Sequence, residues 1–198
     1  MKPDLFCPSA SVAVIGNGPI NVRFGKGLEI DQCDYVVRFN NYQLQGHEGT
    51  VGRRESVWAT TFNQDIEPRN LIPIDRIVVV YPLLDPRFLR RHMTLASSVP
   101  QLQRVAELLS SYGSGVEIIP FQFYENVGRL SAGMLFLYWL YVCRGWSLDG
   151  VLIEGFAFFD PGVRHHYWKE DGELPVRGAH SSEVEREFFR KMMMKEIR

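Results

Sequence analysis

Five short stretches of this chain are apolar almost without a break: residues 12–15 (VAVI), 35–39 (YVVRF), 77–81 (IVVVY), 116–119 (VEII) and 151–159 (VLIEGFAFF). A strand with one wet face alternates apolar and polar residues, whereas a strand covered on both faces reads as a continuous apolar run. Helical patterns lie between some of these runs, most clearly at 101–111 and 130–143, and a last one runs from Glu183 to about residue 195. Covered strands alternating with helices predict an α/β fold: a Rossmann-like, mainly parallel sheet with helices on both faces. The polar, Gly-rich stretches 40–52 and 160–179 read as loops, and in such folds the loops at strand ends carry function. No break in composition divides the 198 residues, so a single domain over residues 1–198 is expected.

The charge balance narrows the function classes. A net charge of −1 gives no polyanion footprint and argues against a nucleic-acid binder. Three cysteines, Cys7, Cys33 and Cys143, form no C-x-x-C pair and leave an odd count, which favours a reducing compartment. The N-terminus carries no signal-peptide pattern, and the apolar run 134–143 is about half the length a bilayer requires. The expected location is cytoplasmic, with peripheral contact to the inner face of a membrane as the other option.

The first apolar run leads into Gly16-Asn17-Gly18, which is how flavin and NAD proteins often begin. That fingerprint is G-x-G-x-x-G, followed about 20 positions later by an acidic residue that holds the ribose. Here Asn21 stands at the third glycine, and the second strand ends in Arg38-Phe39-Asn40 with no carboxylate. Both departures fall on the parts that recognise the dinucleotide. A glycine turn after a strand still suits any phosphate approached by backbone N–H groups.

Taken in order, the residues resemble another family. VAVIGNGPINVRFGKGLEIDQCDYVVRFN, continuing to EGTVGRR, resembles the large donor-binding motif of the sialyltransferases of glycosyltransferase family 29. Its parts are Gly16-Asn17, the G-x-G-x-E-I-D segment at 25–31, Arg38-x-Asn40, and Val51-Gly52. LSAGMLFLYWLYVC at 130–143 resembles the small motif, a Ser-Gly turn opening an apolar helix that ends in cysteine. GVRHHYWKE at 162–170 resembles the third motif, and AHSSEVE at 179–185 the last, a histidine with a glutamate five positions on.

The resemblance implies a metal-independent, inverting glycosyltransferase of the GT-A-variant fold, with no cofactor. It would move sialic acid from CMP-sialic acid to a glycan hydroxyl. It further implies that His180 is the general base and that His166, helped by Tyr167, steadies the leaving CMP. Gly16, Asn17, Gly18 and Asn40 would bind the donor, together with the turn Ser131-Ala132-Gly133. The residue types suit these tasks. Imidazole titrates near neutral pH and can take a proton from a hydroxyl. Fixed N–H groups and neutral or cationic donors meet the charge that develops on a departing phosphate. The turn at Ser131 also reads as a helix N-cap, and Ser182 with Glu185 reads as a capping box that makes Glu185 structural support. His47 and His92 read as ordinary surface or core histidines. No Asp-x-Asp pair is present, and His165, His166 and His180 lack the further ligands a zinc site needs.

Three departures from the family pattern matter. In the animal members a disulfide joins the large and small motifs; here Cys143 stands at the small-motif position, but the partner position is Val12. No anchor is expected ahead of the domain, and the chain is short for the family. Together they suggest a soluble, bacterial-type relative acting on a lipid-linked or cell-surface glycan. Three other readings stay open: a transferase using CMP-Kdo, an oxidoreductase with a degenerate dinucleotide fingerprint, and a non-catalytic relative that binds CMP-sugars.

Overall fold

The computed structural model describes residues 2–20, 25–61, 74–80, 103, 106–107, 110–111, 115–125, 127, 130–158, 166–168 and 181–197. Among the described residues, six strands form one sheet: β1 (Val12–Ile15), β2 (Tyr35–Phe39), β3 (Val57–Thr60), β4 (Arg76–Val79), β5 (Val116–Ile118) and β6 (Val151–Glu154). Their order across the sheet is β5-β4-β3-β2-β1-β6, and every pair is parallel. Among the described residues, the helices with defined bounds are α1 (Gly27–Gln32), α2 (Glu48–Val51), α3 (Gln122–Glu125), α4 (Ala132–Cys143) and α5 (Ser182–Met193). This is the Rossmann-like α/β architecture expected for a GT-A-variant fold.

Both faces of the sheet are covered, which is why its strands read as unbroken apolar runs. On one face Val12, Val14, Val37, Phe39, Val57, Ala59 and Val78 pack under α4, with Phe188, Phe189 and Met192 of α5 closing over it. On the other, Ala13, Ile15 and Val36 pack with Ile30 of α1 and Val51 of α2. Helix α4 buries Met134, Leu135, Phe136, Leu137, Trp139, Leu140 and Tyr141, because the sheet lies on one side of it and other segments on the rest. Helix α5 is one-sided: Glu185 and Met192 are buried, and Val184 and Met193 are exposed.

The chain passes from β1 outward to β5, then returns by α4 to lay β6 on the far side of β1. The strand order therefore reverses between β1 and β6, and in open parallel sheets ligands bind outside the carboxyl ends of the strands at such a point. The start of the sheet is stitched instead. The Asp34 carboxylate accepts bonds from the Ser11 N–H and hydroxyl, both at 2.8 Å, joining the residues that precede β1 and β2.

Arg144, just past α4, is 3 % exposed and donates to the carbonyls of Leu5, Cys7, Pro8, Ala10 and Asp149. A planar guanidinium satisfies several carbonyls at fixed angles. It ties the lead-in of β1 to the end of α4, while Cys7, Cys33 and Cys143 are all free thiols.

Several boundaries differ from expectation. Strand β3 was not anticipated, because Ser56, Thr60 and Thr61 around it read as polar, although Ser56 and Thr60 are buried. The run at 151–159 stops as a strand at Glu154, since Gly155 adopts φ 74° and Phe158 φ 50°. The stretch 40–52 is not all loop, because α2 lies within it. Of the expected helix at 101–111, the described residues Gln103, Ala106, Glu107, Ser110 and Ser111 are helical.

Candidate active site

Strands β1 and β6 stay joined beyond their ends. The Gly16 N–H donates to the Glu154 carbonyl and the Gly18 N–H to the Gly155 carbonyl, each at 2.8 Å. A Cβ at Gly18 would lie 2.7 Å from the Gly155 oxygen, and one at Gly16 would also strike that carbonyl. The two glycines are therefore fixed by the close approach of the segment after β6, and their N–H groups are already used within the chain.

Asn17, between them, is differently placed. Its Nδ2 donates to the Phe39 carbonyl at 3.0 Å, tying the end of β1 to the end of β2. Its Oδ1 is buried with no hydrogen-bond partner among the described residues. A buried, unmatched carbonyl oxygen is costly unless a donor arrives to meet it. What Asn17 offers a ligand is thus an acceptor, suited to a hydroxyl or amino group and not to a phosphate.

Asn40 ends β2 in the left-handed region, at φ 46°, which asparagine tolerates better than most residues. Among the described residues four bonds hold it: its N–H to the Ala59 carbonyl, its carbonyl from the Trp58 indole, and its Oδ1 from the Thr61 N–H at 3.0 Å and the Thr61 hydroxyl at 3.4 Å. With Oδ1 committed, the amide NH₂ is the part of Asn40 available as a donor.

Tyr167 spans the two asparagine-bearing ends. Its N–H donates to the Asn17 carbonyl at 2.8 Å and its phenol to the Gln43 carbonyl, while its ring meets the His47 ring edge-on at 5.3 Å. His166 stacks on Trp168 with ring centroids 4.6 Å apart. The structure thus gathers Gly16, Asn17, Gly18, Asn40, His166 and Tyr167 around the carboxyl ends of β1 and β2. His180 and His165, proposed respectively as base and neighbour, lie outside the described residues, as does His92.

Charged groups flank this edge. Ile15 is in register with Arg38 on one side and Glu154 on the other, so all three project from the same face of the sheet. The Glu154 carboxylate pairs with the Lys26 ammonium at 2.6 Å, which holds that ammonium above its ordinary pKa. Arg38 is fully buried and donates to the carbonyls of Val51 and Arg54; its Nη1 has no partner among the described residues. Burial pulls its guanidinium down to about 10, against the field of Tyr167, Asp31 and Glu55. The contacts of Lys26, Gln43 and Glu154 leave no trace in the sequence, because nothing local in their segments records bonds made across the sheet edge; His47, read from the sequence as an ordinary histidine, meets Tyr167 edge-on.

At the turn before α4, the Ser131 hydroxyl caps the helix by accepting from the Met134 N–H at 3.3 Å. Its own N–H and hydroxyl donate to the Glu185 carboxylate of α5, at 2.5 and 2.9 Å. Two expectations are corrected here. The N-cap of α5 is Ser181 and not Ser182, and Glu185 bonds to Ser131 instead of back to its own N-cap. Gly133 follows because a Cβ there would lie 2.7 Å from the Phe156 ring. Among the described residues, no three His, Cys, Asp or Glu side chains group as a metal site, and no helix is long and apolar enough to cross a membrane.

Comparison with known proteins agrees with this fold. Residues 8–71, from the lead-in of β1 to the segment after β3, match the model of glycosyltransferase family 29 (sialyltransferase). Over 190 residues the chain is 27 % identical to the CMP-N-acetylneuraminate-beta-galactosamide-alpha-2,3-sialyltransferase 1 of Gallus gallus, covering 87 % of this chain and 52 % of that protein. The chain spans about half the length of the curated relatives it matches. A mammalian sialyltransferase superposes with a TM-score of 0.61 at 17 % identity, covering 96 % of this chain and 67 % of the other. The crystal structure of a mammalian sialyltransferase in complex with Gal-beta-1-3GalNAc-ortho-nitrophenol gives 0.58 at 18 %, covering 93 % and 66 %. The chain therefore has the fold of the mammalian sialyltransferases, and its first three strands carry the match to glycosyltransferase family 29.

Proposed function

We propose that this chain is a sialyltransferase-like member of glycosyltransferase family 29, built as one domain. In this reading it is a metal-independent, inverting enzyme that moves sialic acid from CMP-sialic acid to a glycan hydroxyl. The observation that carries the proposal is the buried, unmatched Oδ1 of Asn17 at the carboxyl end of β1, within the segment that matches the family model. A cytidine nucleotide brings ribose hydroxyls and an amino group, the donors that such an acceptor requires.

The remaining residues take roles from their surroundings. Asn17 accepts from the nucleoside and Asn40 donates to it through its amide NH₂. Gly16 and Gly18 let the segment after β6 close against β1, which shapes the floor of the crevice. The turn Ser131-Ala132-Gly133 borders the donor site, and Tyr167 holds His166 over it. His180 takes the proton of the acceptor hydroxyl as that oxygen attacks the anomeric carbon, and CMP leaves with its bonding pair. His166 meets the charge that grows on the departing phosphate. A single displacement inverts the anomeric centre, with no covalent nucleophile required. A donor with one phosphate has less charge to neutralise than a diphosphate donor, which suits a site without a metal. Three free thiols suit a reducing, cytoplasmic setting.

The test is thermal unfolding in EDTA with CMP, UDP, NADH or FAD added separately. A ligand at a hundred times its dissociation constant adds about 2.7 kcal/mol, a rise of roughly 5–10 °C for a domain of this size. The expected result is a rise with CMP and none with NADH or FAD. A rise with NADH or FAD alone would replace this reading with a redox one. Transfer from CMP-Kdo in preference to CMP-sialic acid would keep the fold and change the donor.

A further inference from the structure

Strand β3 carries none of the motif residues, yet it and the residue after it converge on one of them. Asn40 ends β2 with φ 46°. Its N–H donates to the Ala59 carbonyl at 3.0 Å, and its own carbonyl accepts from the Trp58 indole N–H at 3.0 Å. Its Oδ1 accepts from the Thr61 N–H at 3.0 Å and from the Thr61 hydroxyl at 3.4 Å. Trp58 is 2 % exposed and stands opposite Arg38, two residues before Asn40. An asparagine in a plain turn needs no such support, because its side chain bonds locally and the left-handed conformation costs it little. The bond from the Thr61 backbone is the more telling one. A backbone N–H can only donate, so it fixes which end of the Asn40 amide faces β3 and leaves the NH₂ for another partner.

We propose that Trp58 and Thr61 are positioning residues for the nucleotide. The indole holds the Asn40 peptide in its left-handed conformation, and the Thr61 N–H sets the sense of the side-chain amide, so a ligand meets a donor that is already fixed. The inference rests on the proposed role of Asn40 as a donor to the nucleoside of the CMP-sugar. A donor fixed beforehand loses little freedom when the ligand binds, so loosening it weakens binding and spares the chemical step. If the loosened amide is competent about a tenth of the time, the apparent dissociation constant rises about tenfold.

The experiment compares wild type, W58F, T61P, T61V and W146F, each as the whole chain. The readouts are CMP titration and transfer from CMP-N-acetylneuraminate to Gal-beta-1-3GalNAc-ortho-nitrophenol. W58F removes the indole N–H and keeps an aromatic ring in the core. T61P removes both Thr61 donors, and Thr60 before it is already extended in β3, as a following proline prefers. Both should raise the CMP dissociation constant and the donor KM about tenfold, with kcat within about twofold of wild type. T61V keeps the N–H and loses only the longer bond, so it should bind CMP nearly as wild type does. W146F trims a tryptophan that packs on Tyr141, outside β3 and the motifs, and should lose stability without losing CMP affinity. T61P also serves if W58F fails to fold. The proposal is overturned if W58F and T61P bind CMP as tightly as wild type, or if kcat falls while affinity holds. It is equally overturned if W146F weakens binding as much as W58F, or T61V as much as T61P. In each of these cases wild type still binds CMP, so the reading of Asn40 as a donor stands. A wild-type chain that binds no CMP would overturn both the inference and that reading.

Discussion

Asn17 helps to hold the fold and carries the acceptor on which the proposed donor site rests. Its Nδ2 bond to the Phe39 carbonyl ties β1 to β2, and its Oδ1 is left as a buried acceptor with no partner among the described residues. Replacing Asn17 with Asp would set an anionic oxygen against the Phe39 carbonyl and remove the only donor at that contact. N17D should lose about 2–4 kcal/mol of stability and its CMP-dependent thermal shift, both readable in a single melting experiment. N17A, which removes the amide without adding charge, should melt closer to wild type and also lose the shift. The sequence marks Asn17 and Asn40 by motif, and their places at strand ends follow from the apolar runs before them. It cannot reveal that the Gly16 and Gly18 N–H groups are spent on Glu154 and Gly155, because β6 lies 136 residues further on and its register against β1 is a property of the whole sheet.

Among the elements, those with a strong local pattern were legible and those held by distant contacts were not. Strands β1 and β2 were placed to the residue, since nothing in VAVI or YVVRF competes with a covered strand. Strand β3 escaped because its flanking polar residues are buried by the neighbours on either side, a tertiary effect with no local trace. The start of α5 follows the same logic: a Ser-x-x-Glu pattern predicts a local box, but a buried partner at Ser131 captures the glutamate. The stitch between Ser11 and Asp34 yields a pH prediction at this scale. Bonds from the Ser11 N–H and hydroxyl hold the Asp34 carboxyl below its ordinary pKa. A carboxylate lowered in the folded state contributes stability above its unfolded pKa, and that contribution disappears as pH falls through the lowered value. Denaturant melts across the acid range should therefore show a shallower loss of stability in D34N than in wild type. Equal acid limbs would mean that the stitch adds nothing.

At the scale of the whole molecule, the parallel sheet, the reversal at β1 and the gathering of the motif residues along one edge all belong to a single design. The order of the motifs in the sequence already implied that design, because in a parallel α/β sheet every strand delivers its following loop to the same edge. Distances and partners were not legible, since they depend on how β6 closes against β1 and how α5 docks against α4. The claim that joins these levels is that the edge binds a CMP-activated sugar acid and that His180 activates the acceptor. The most direct measurement is transfer from CMP-sialic acid by wild type and H180A, in EDTA, beside the CMP thermal shift of each. The account predicts transfer by wild type, at least a 100-fold loss in H180A, and an equal CMP shift in both. Transfer by H180A near the wild-type rate, or a wild-type chain that neither binds CMP nor transfers from it, would contradict the account.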